Sequence, residues 1–163
     1  MDPYLQTLLL NIEDLSDAEA EKLASRAYLE DYTDYDTHSG RRGERVTHDN
    51  QSVVFYEDRF EHAFFTTADK VNRPFNKSQF VRDRASRVRW IGEIIAGKLP
   101  GSECWLVYQG NVLKRLYVHW DECYVVWLEP TKTGKWKFSS AYTTSRADIR
   151  RKLCHARRIW TKK

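Results

Sequence analysis

Five histidines, at positions 38, 48, 62, 119 and 155, are the side chains best suited to carry protons near neutral pH. None belongs to an HExxH pair, and the acids form no tight cluster of the two-metal kind, so no metal and no cofactor is expected. There is no GxSxG elbow and no glycine-rich phosphate loop leading into a helix. The chemistry left to these residue types is metal-independent cleavage of a phosphodiester. It needs a proton acceptor and donor, cations for the phosphate, and a hydroxyl or N–H for a nonbridging oxygen. His62 is the first candidate acid/base, with Arg59 one turn before it and Lys70 beyond. Arg115 and His119 share one side of an expected strand, where the first can brace phosphate and the second exchange a proton. The run Ser139-Ser-Ala-Tyr-Thr-Thr-Ser145 supplies hydroxyls at Ser140 and Thr143, and Tyr142 can stack on a base. The catalytic set expected from this reading is His62, Arg115, His119 and Thr143. Lys70, Arg84, Arg87, Ser140, Tyr142, Arg146, Arg150, Arg151 and Lys152 are the expected RNA contacts. Each has an ordinary structural alternative: a helix-surface histidine, a sheet-surface arginine, or hydroxyls that close strand and helix ends.

Charge placement says where such a partner would sit. The net charge of +4 is a cancellation. Residues 1–36 hold ten acids against two bases, and residues 146–163 hold eight bases against Asp148 alone. From residue 37 onward the chain carries +12, which fits an anionic partner such as RNA. The basic C-terminal stretch suits holding a phosphate backbone better than cutting it. The acidic segment reads as a solvated helix and linker, as a surface that masks the basic one, or as one that meets a host protein. A cognate inhibitor is a further candidate partner, with no segment assigned to it.

Six Trp, nine Tyr and seven Phe exclude a wholly disordered chain. No apolar run approaches the ~18 residues of a membrane span, so no membrane contact is expected. Asp2 stands where a signal peptide would be basic, and three scattered cysteines suggest neither a disulfide scaffold nor a zinc ribbon. The expectation is a cytoplasmic protein.

The elements that must position these groups follow from capping and periodicity. Ser16 with Glu19 is a capping box, predicting a helix from Asp17 to about Leu29, after one or two turns within Tyr4–Leu10. Residues 31–50 are polar and aperiodic, which places an acidic helical leader and linker at 1–50 and the working domain at 51–163. Val53–Phe55 reads as a strand and Glu57–Phe65 as a helix. Phe80, Arg84, Val88, Ile91 and Ile95 predict one long helix over Gln79–Ala96. Strands follow at Cys104–Tyr108, Val112–His119, Cys123–Glu129 and Lys135–Ala141, and a basic helix at Ser145–Trp160. The expected fold is α+β, with N-terminal helices packed on a four-stranded antiparallel sheet and a basic C-terminal helix.

In order, Val53–His62, then Arg84-Ala-Ser-Arg-Val-Arg-Trp-Ile91, then the strands and Phe138-Ser-Ser-Ala-Tyr-Thr143 resemble the phage and mobile-element branch of the barnase/EndoU/colicin/RelE-like nucleases. The likeness spans about residues 51–145. It implies that fold, His62 as the acid/base histidine, partly structural helix roles for Arg84, Arg87 and Trp90, and phosphate contact at Arg115 and the 140–143 segment. The function it implies is a toxin or phage-associated endoribonuclease cutting structured RNA, tRNA included, by 2′-hydroxyl attack. The alternative is a non-catalytic RNA-binding or protein-interaction module.

Overall fold

The computed structural model describes residues 1–35, 43–67, 72 and 79–163. The chain opens with α1 (Pro3–Thr7), capped by the Asp2 carboxylate, and α2 (Asp17–Tyr28), which starts in the expected capping box of Ser16 and Glu19. Ala20, Ala24, Ala27 and Tyr28 form the buried stripe of α2, spaced as one helical face requires. One π turn (Leu29–Thr33) continues it and drops Tyr32 into the core. There the Tyr32 hydroxyl donates to the Val88 carbonyl at 2.5 Å and accepts the Gly92 N–H at 3.1 Å.

Then come β1 (Glu44–Val46), β2 (Ser52–Val54), α3 (Arg59–Phe64), β3 (Phe65–Thr66), β4 (Gln79–Phe80), α4 (Arg82–Ser86) and α5 (Trp90–Ile95). The chain finishes with β5 (Ser102–Gln109), β6 (Val112–His119), β7 (Tyr124–Pro130), β8 (Trp136–Thr143), α6 (Arg146–Lys152) and β9 (Arg157–Thr161). Seven strands form one mixed, curled sheet, a half-barrel in the order β1-β2-β8-β7-β6-β5-β9, with β2 and β8 parallel. β3 and β4 make a separate two-stranded ribbon.

The class is α+β, but the expected four-stranded antiparallel sheet is only the central meander β5–β8. Three physical reasons account for the difference. Thr47-His48-Asp49-Asn50 is a tight turn, with Asn50 at φ 60°, so a hairpin sits inside a stretch whose polarity suggested a linker. The expected C-terminal helix stops at Lys152, and Arg157–Thr161 instead pairs with the open edge of β5, whose backbone groups need partners. The expected helix over 79–96 is broken. Gln79–Phe80 pairs with Phe65–Thr66, and outside donors take the carbonyls that would carry the helix on: Leu10 N–H binds the Ser86 carbonyl at 2.9 Å and Tyr32 the Val88 carbonyl.

The main core fills one side of the sheet and includes Leu5, Leu10, Ala24, Tyr28 and Tyr32 beside Phe55, Phe64, Trp90, Tyr117 and Phe138. The acidic N-terminal segment therefore packs into the same core as the sheet. Arg82 fastens it, pairing with Asp17 at 2.8 Å and donating to the carbonyls of Ile12, Glu13 and Leu15. A smaller cluster on the other side, Leu116, Val118, Val125 and Trp127, is covered by Ile149 of α6 and by Leu153 just after it. Among the described residues no helix is long and apolar enough to cross a membrane.

Candidate functional site

β2 pairs with β8 only at Trp136 and Lys137, so among the described residues the rest of β8 has a strand neighbour on the β7 side alone. α3 and α4 pack against that remaining length. α3 is held there by Phe60, Ala63 and Phe64, which bury their side chains among Tyr28 and its aromatic neighbours. The corner gathers several expected site residues. The Arg84 guanidinium lies 5.1 Å from the centroid of the Tyr142 ring and donates to the Ala63 carbonyl at 3.4 Å. His62, the residue before Ala63, is exposed on α3. Thr143 Oγ1 donates to Asp83 Oδ2 at 2.8 Å, and Arg87 donates to Asp83 Oδ1 at 2.5 Å, so one carboxylate joins both. Arg87 also lies 5.0 Å from the Trp90 ring. Tyr142 is fixed from the other side, its hydroxyl accepting the Trp127 Nε1–H at 3.1 Å, and Ser140 sits half-buried opposite Trp127. Lys70 lies outside the described residues.

Arg115 is not brought to this corner: its row across the sheet runs through Leu128 to Phe138, whereas the row of His119 runs through Tyr124 to Thr143. Arg115 is 5% exposed and forms a two-pronged ion pair with Asp49, both bonds 2.8 Å. Its guanidinium also lies 4.9 Å from the Trp136 ring. Beside it the Tyr117 hydroxyl meets His48 Nδ1 at 2.7 Å, and the His48 ring stacks on Trp160 at 4.4 Å. His48 and Asp49 belong to the β1–β2 turn at one margin of the sheet and Trp160 to β9 at the other. This network therefore ties the two margins together and sets the curl.

The electrostatics match a closed structural lock. The Arg115 bonds, helped by the Thr47 hydroxyl, hold the Asp49 carboxyl well below the usual carboxylate range despite burial. Burial pushes His48 below its ordinary value, while it raises Tyr117 well above the usual phenol range and the Cys104 thiol to about 12. For Arg115 burial works against the charge, and Asp49 reverses it, leaving the guanidinium firmly protonated. Nothing in the sequence pairs residue 49 with residue 115. The available signal was the turn chemistry of His48-Asp-Asn50 between two short β-branched runs.

His119 is 1% exposed, between Ser102 of β5 and Tyr124 of β7 in one row across the sheet. Among the described residues its Nδ1 has no hydrogen-bond partner, nor do the Ser102 and Tyr124 hydroxyls. All three cysteines are free thiols. Among the described residues no three His, Cys, Asp or Glu side chains gather to hold a metal ion.

Basic residues of α6 and β9 lie beside a pair of indoles that pack on the smaller core cluster. Trp105 and Trp120 both donate to Glu103 Oε2, at 2.8 and 2.9 Å. Arg158 lies over the first ring and Arg146 over the second, 6.0 and 5.9 Å from the centroids. Arg151 and Lys152 pair with Asp148, whose acidity the Lys152 hydrogen bond increases first and Thr144 and Arg151 after it. Arg146, Arg150, Arg157 and Lys162 have no carboxylate partner among the described residues.

The chain matches no protein-family model, no curated protein and no solved structure.

Proposed function

We propose that this protein binds RNA and cuts it without a metal at the corner of α3, α4 and β8, while α6 and β9 hold the phosphate backbone. The observation that supports the reading most is Arg84. Its guanidinium reaches Tyr142 and the backbone beside exposed His62, with Thr143 next along the strand. In the proposed reaction His62 accepts the proton of a ribose 2′-hydroxyl, and that oxygen attacks the adjacent phosphorus. The bond from phosphorus to the 5′-oxygen breaks, a cyclic phosphate forms, and the departing oxygen takes a proton from solvent at this open corner. Arg84 balances the charge gathered on the phosphorane, and the Thr143 hydroxyl can turn from Asp83 to a nonbridging oxygen. Arg115 and His119, buried in other contacts, have structural roles in this reading.

Total RNA incubated with the purified protein in EDTA tests it. Cleavage is expected, falling at least ~100-fold in His62→Ala and in Arg84→Ala, as for loss of an acid/base or a charge-stabilising group. No cleavage by the wild type, or equal cleavage by the variants, would sink the assignment. Among the described residues the corner exposes a single histidine, which favours a second reading: RNA binding without cleavage. Salt-sensitive RNA binding without product, unchanged by His62→Ala, would establish that one.

A further inference from the structure

Opposite charges lie on separate surfaces of this molecule, each around an apolar centre. Between α2 and α3 runs a groove of about 670 Å³ floored by Tyr28, Leu29, Phe60 and Phe65. Its rim carries Glu21, Glu57, Asp58 and Glu61, none with a cationic partner among the described residues. On β9 the bulge opposite Cys104 and Trp105 leaves Ile159 36% exposed, flanked by Arg157, Arg158 and Lys162. One surface is an aromatic trough ringed by carboxylates, and the other an aliphatic knob ringed by cations.

We propose that β9 of one copy docks into the α2–α3 groove of a second copy. The occupant is argued from charge complementarity. Every copy carries both the rim carboxylates Glu21, Glu57, Asp58 and Glu61 and the cations Arg157, Arg158 and Lys162, so each molecule brings both halves of the contact. Ile159 supplies the apolar centre and the charges a polar rim, the arrangement of a specific interface. The contact joins unlike surfaces, so it propagates head to tail. It also covers cations that RNA would use, so association and RNA binding compete.

Sedimentation of the full chain tests this. The wild type is expected to associate at about 20 mM salt, where screening is weak, and to be monomeric at about 0.5 M. Two neutralised variants separate the surfaces: Glu57→Gln/Asp58→Asn/Glu61→Gln for the groove, and Arg157→Gln/Arg158→Gln/Lys162→Gln for the strand. Asp58 makes no side-chain cap to α3, and the other five positions are exposed, so both variants keep the fold, as circular dichroism would confirm. Each alone is expected to stay monomeric at low salt. Mixed in equal amounts they are expected to associate and stop at the dimer, because each retains one working surface. A wild type monomeric at low salt, a single variant that still associates, or a mixture that stays monomeric would each overturn the proposal.

Discussion

If the Asp49–Arg115 pair closes the sheet and takes no part in chemistry, breaking it should cost stability, and replacing it whole should restore both fold and activity. Asp49→Asn removes the charge and leaves Arg115, 5% exposed, facing no carboxylate. Breaking a fully buried pair costs about 3–5 kcal/mol. The Asp49 side chain is 35% exposed, so solvent screens part of the charge and about 2–4 kcal/mol is the better figure here. At about 2.1 cal/mol/K per residue, 163 residues give an unfolding entropy near 0.34 kcal/mol/K. Tm should therefore fall by about 6–12 °C. The pH dependence gives a second readout. Asp49 titrates lower in the folded chain than in the unfolded one, so its contribution is complete above about pH 4 and is lost as pH falls through the lowered value. Below about pH 4 the stability of the wild type should fall more steeply with pH than that of Asp49→Asn, by up to about 1.4 kcal/mol per unit. Urea unfolding from pH 7 to pH 2 measures both. The double variant Asp49→Asn/Arg115→Met removes the buried charge, and should recover to within about 1.5 kcal/mol of wild type with RNA cleavage intact. A double variant that folds but no longer cuts RNA would refute the structural reading of Arg115, as would an Asp49→Asn that unfolds like the wild type.

Two further outcomes probe the same closure. Burial holds His48 below its ordinary value, so its neutral form favours the fold: stability is complete above about pH 6.5 and declines as pH falls below it, Asp49 partly offsetting the loss. The stacked Trp160 should report protonation of His48 as a fluorescence change that sets in below about pH 6.5 and is absent in His48→Gln. Gly97 has φ +72°, and a Cβ there would lie 2.8 Å from the His48 Cβ and 2.9 Å from the Trp160 ring. Gly97→Ala should thus lose at least about 2 kcal/mol by denaturant unfolding, strain and steric overlap adding.

What the sequence made legible follows from the range of the interactions involved. The Ser16 capping box, the α3 helix and the 112–119 strand depend on neighbours within a few residues, and the structure has them where local signals put them. The Asp83–Arg87 pair is equally local, joining the second residue of α4 to the residue that follows the helix. Of the outer strands only β2 is legible, at Val53–Phe55. β1 and β9 exist by pairing with distant edges, and nothing in Glu44–Val46 or Arg157–Thr161 announces those partners. The same limit applies to the candidate site. Arg84, Arg87, Tyr142 and Thr143 were named from residue type, and their meeting depends on α4 lying against β8 across about 60 positions of sequence. Arg115 and His119 have the spacing of residues on one strand face, but burial depends on what covers that face, which spacing does not carry.

β8 links the two halves of this architecture. Its first residue, Trp136, lies under Arg115 at the closure, and its last, Thr143, reaches the proposed site. β2 is long enough to cover only Trp136 and Lys137, and that shortness leaves the far half of β8 to α3 and α4. A longer β2 would satisfy more of the β8 edge but would displace Ala63 and Arg84 from Tyr142. The two-residue pairing thus trades sheet for corner. The closure at the Trp136 end compensates, fixing through Asp49 and Arg115 a hairpin that two residues of parallel pairing would hold weakly. Residues far from the proposed chemistry can accordingly govern it: loosening the hairpin frees β2, and β2 sets where the open edge of β8 begins.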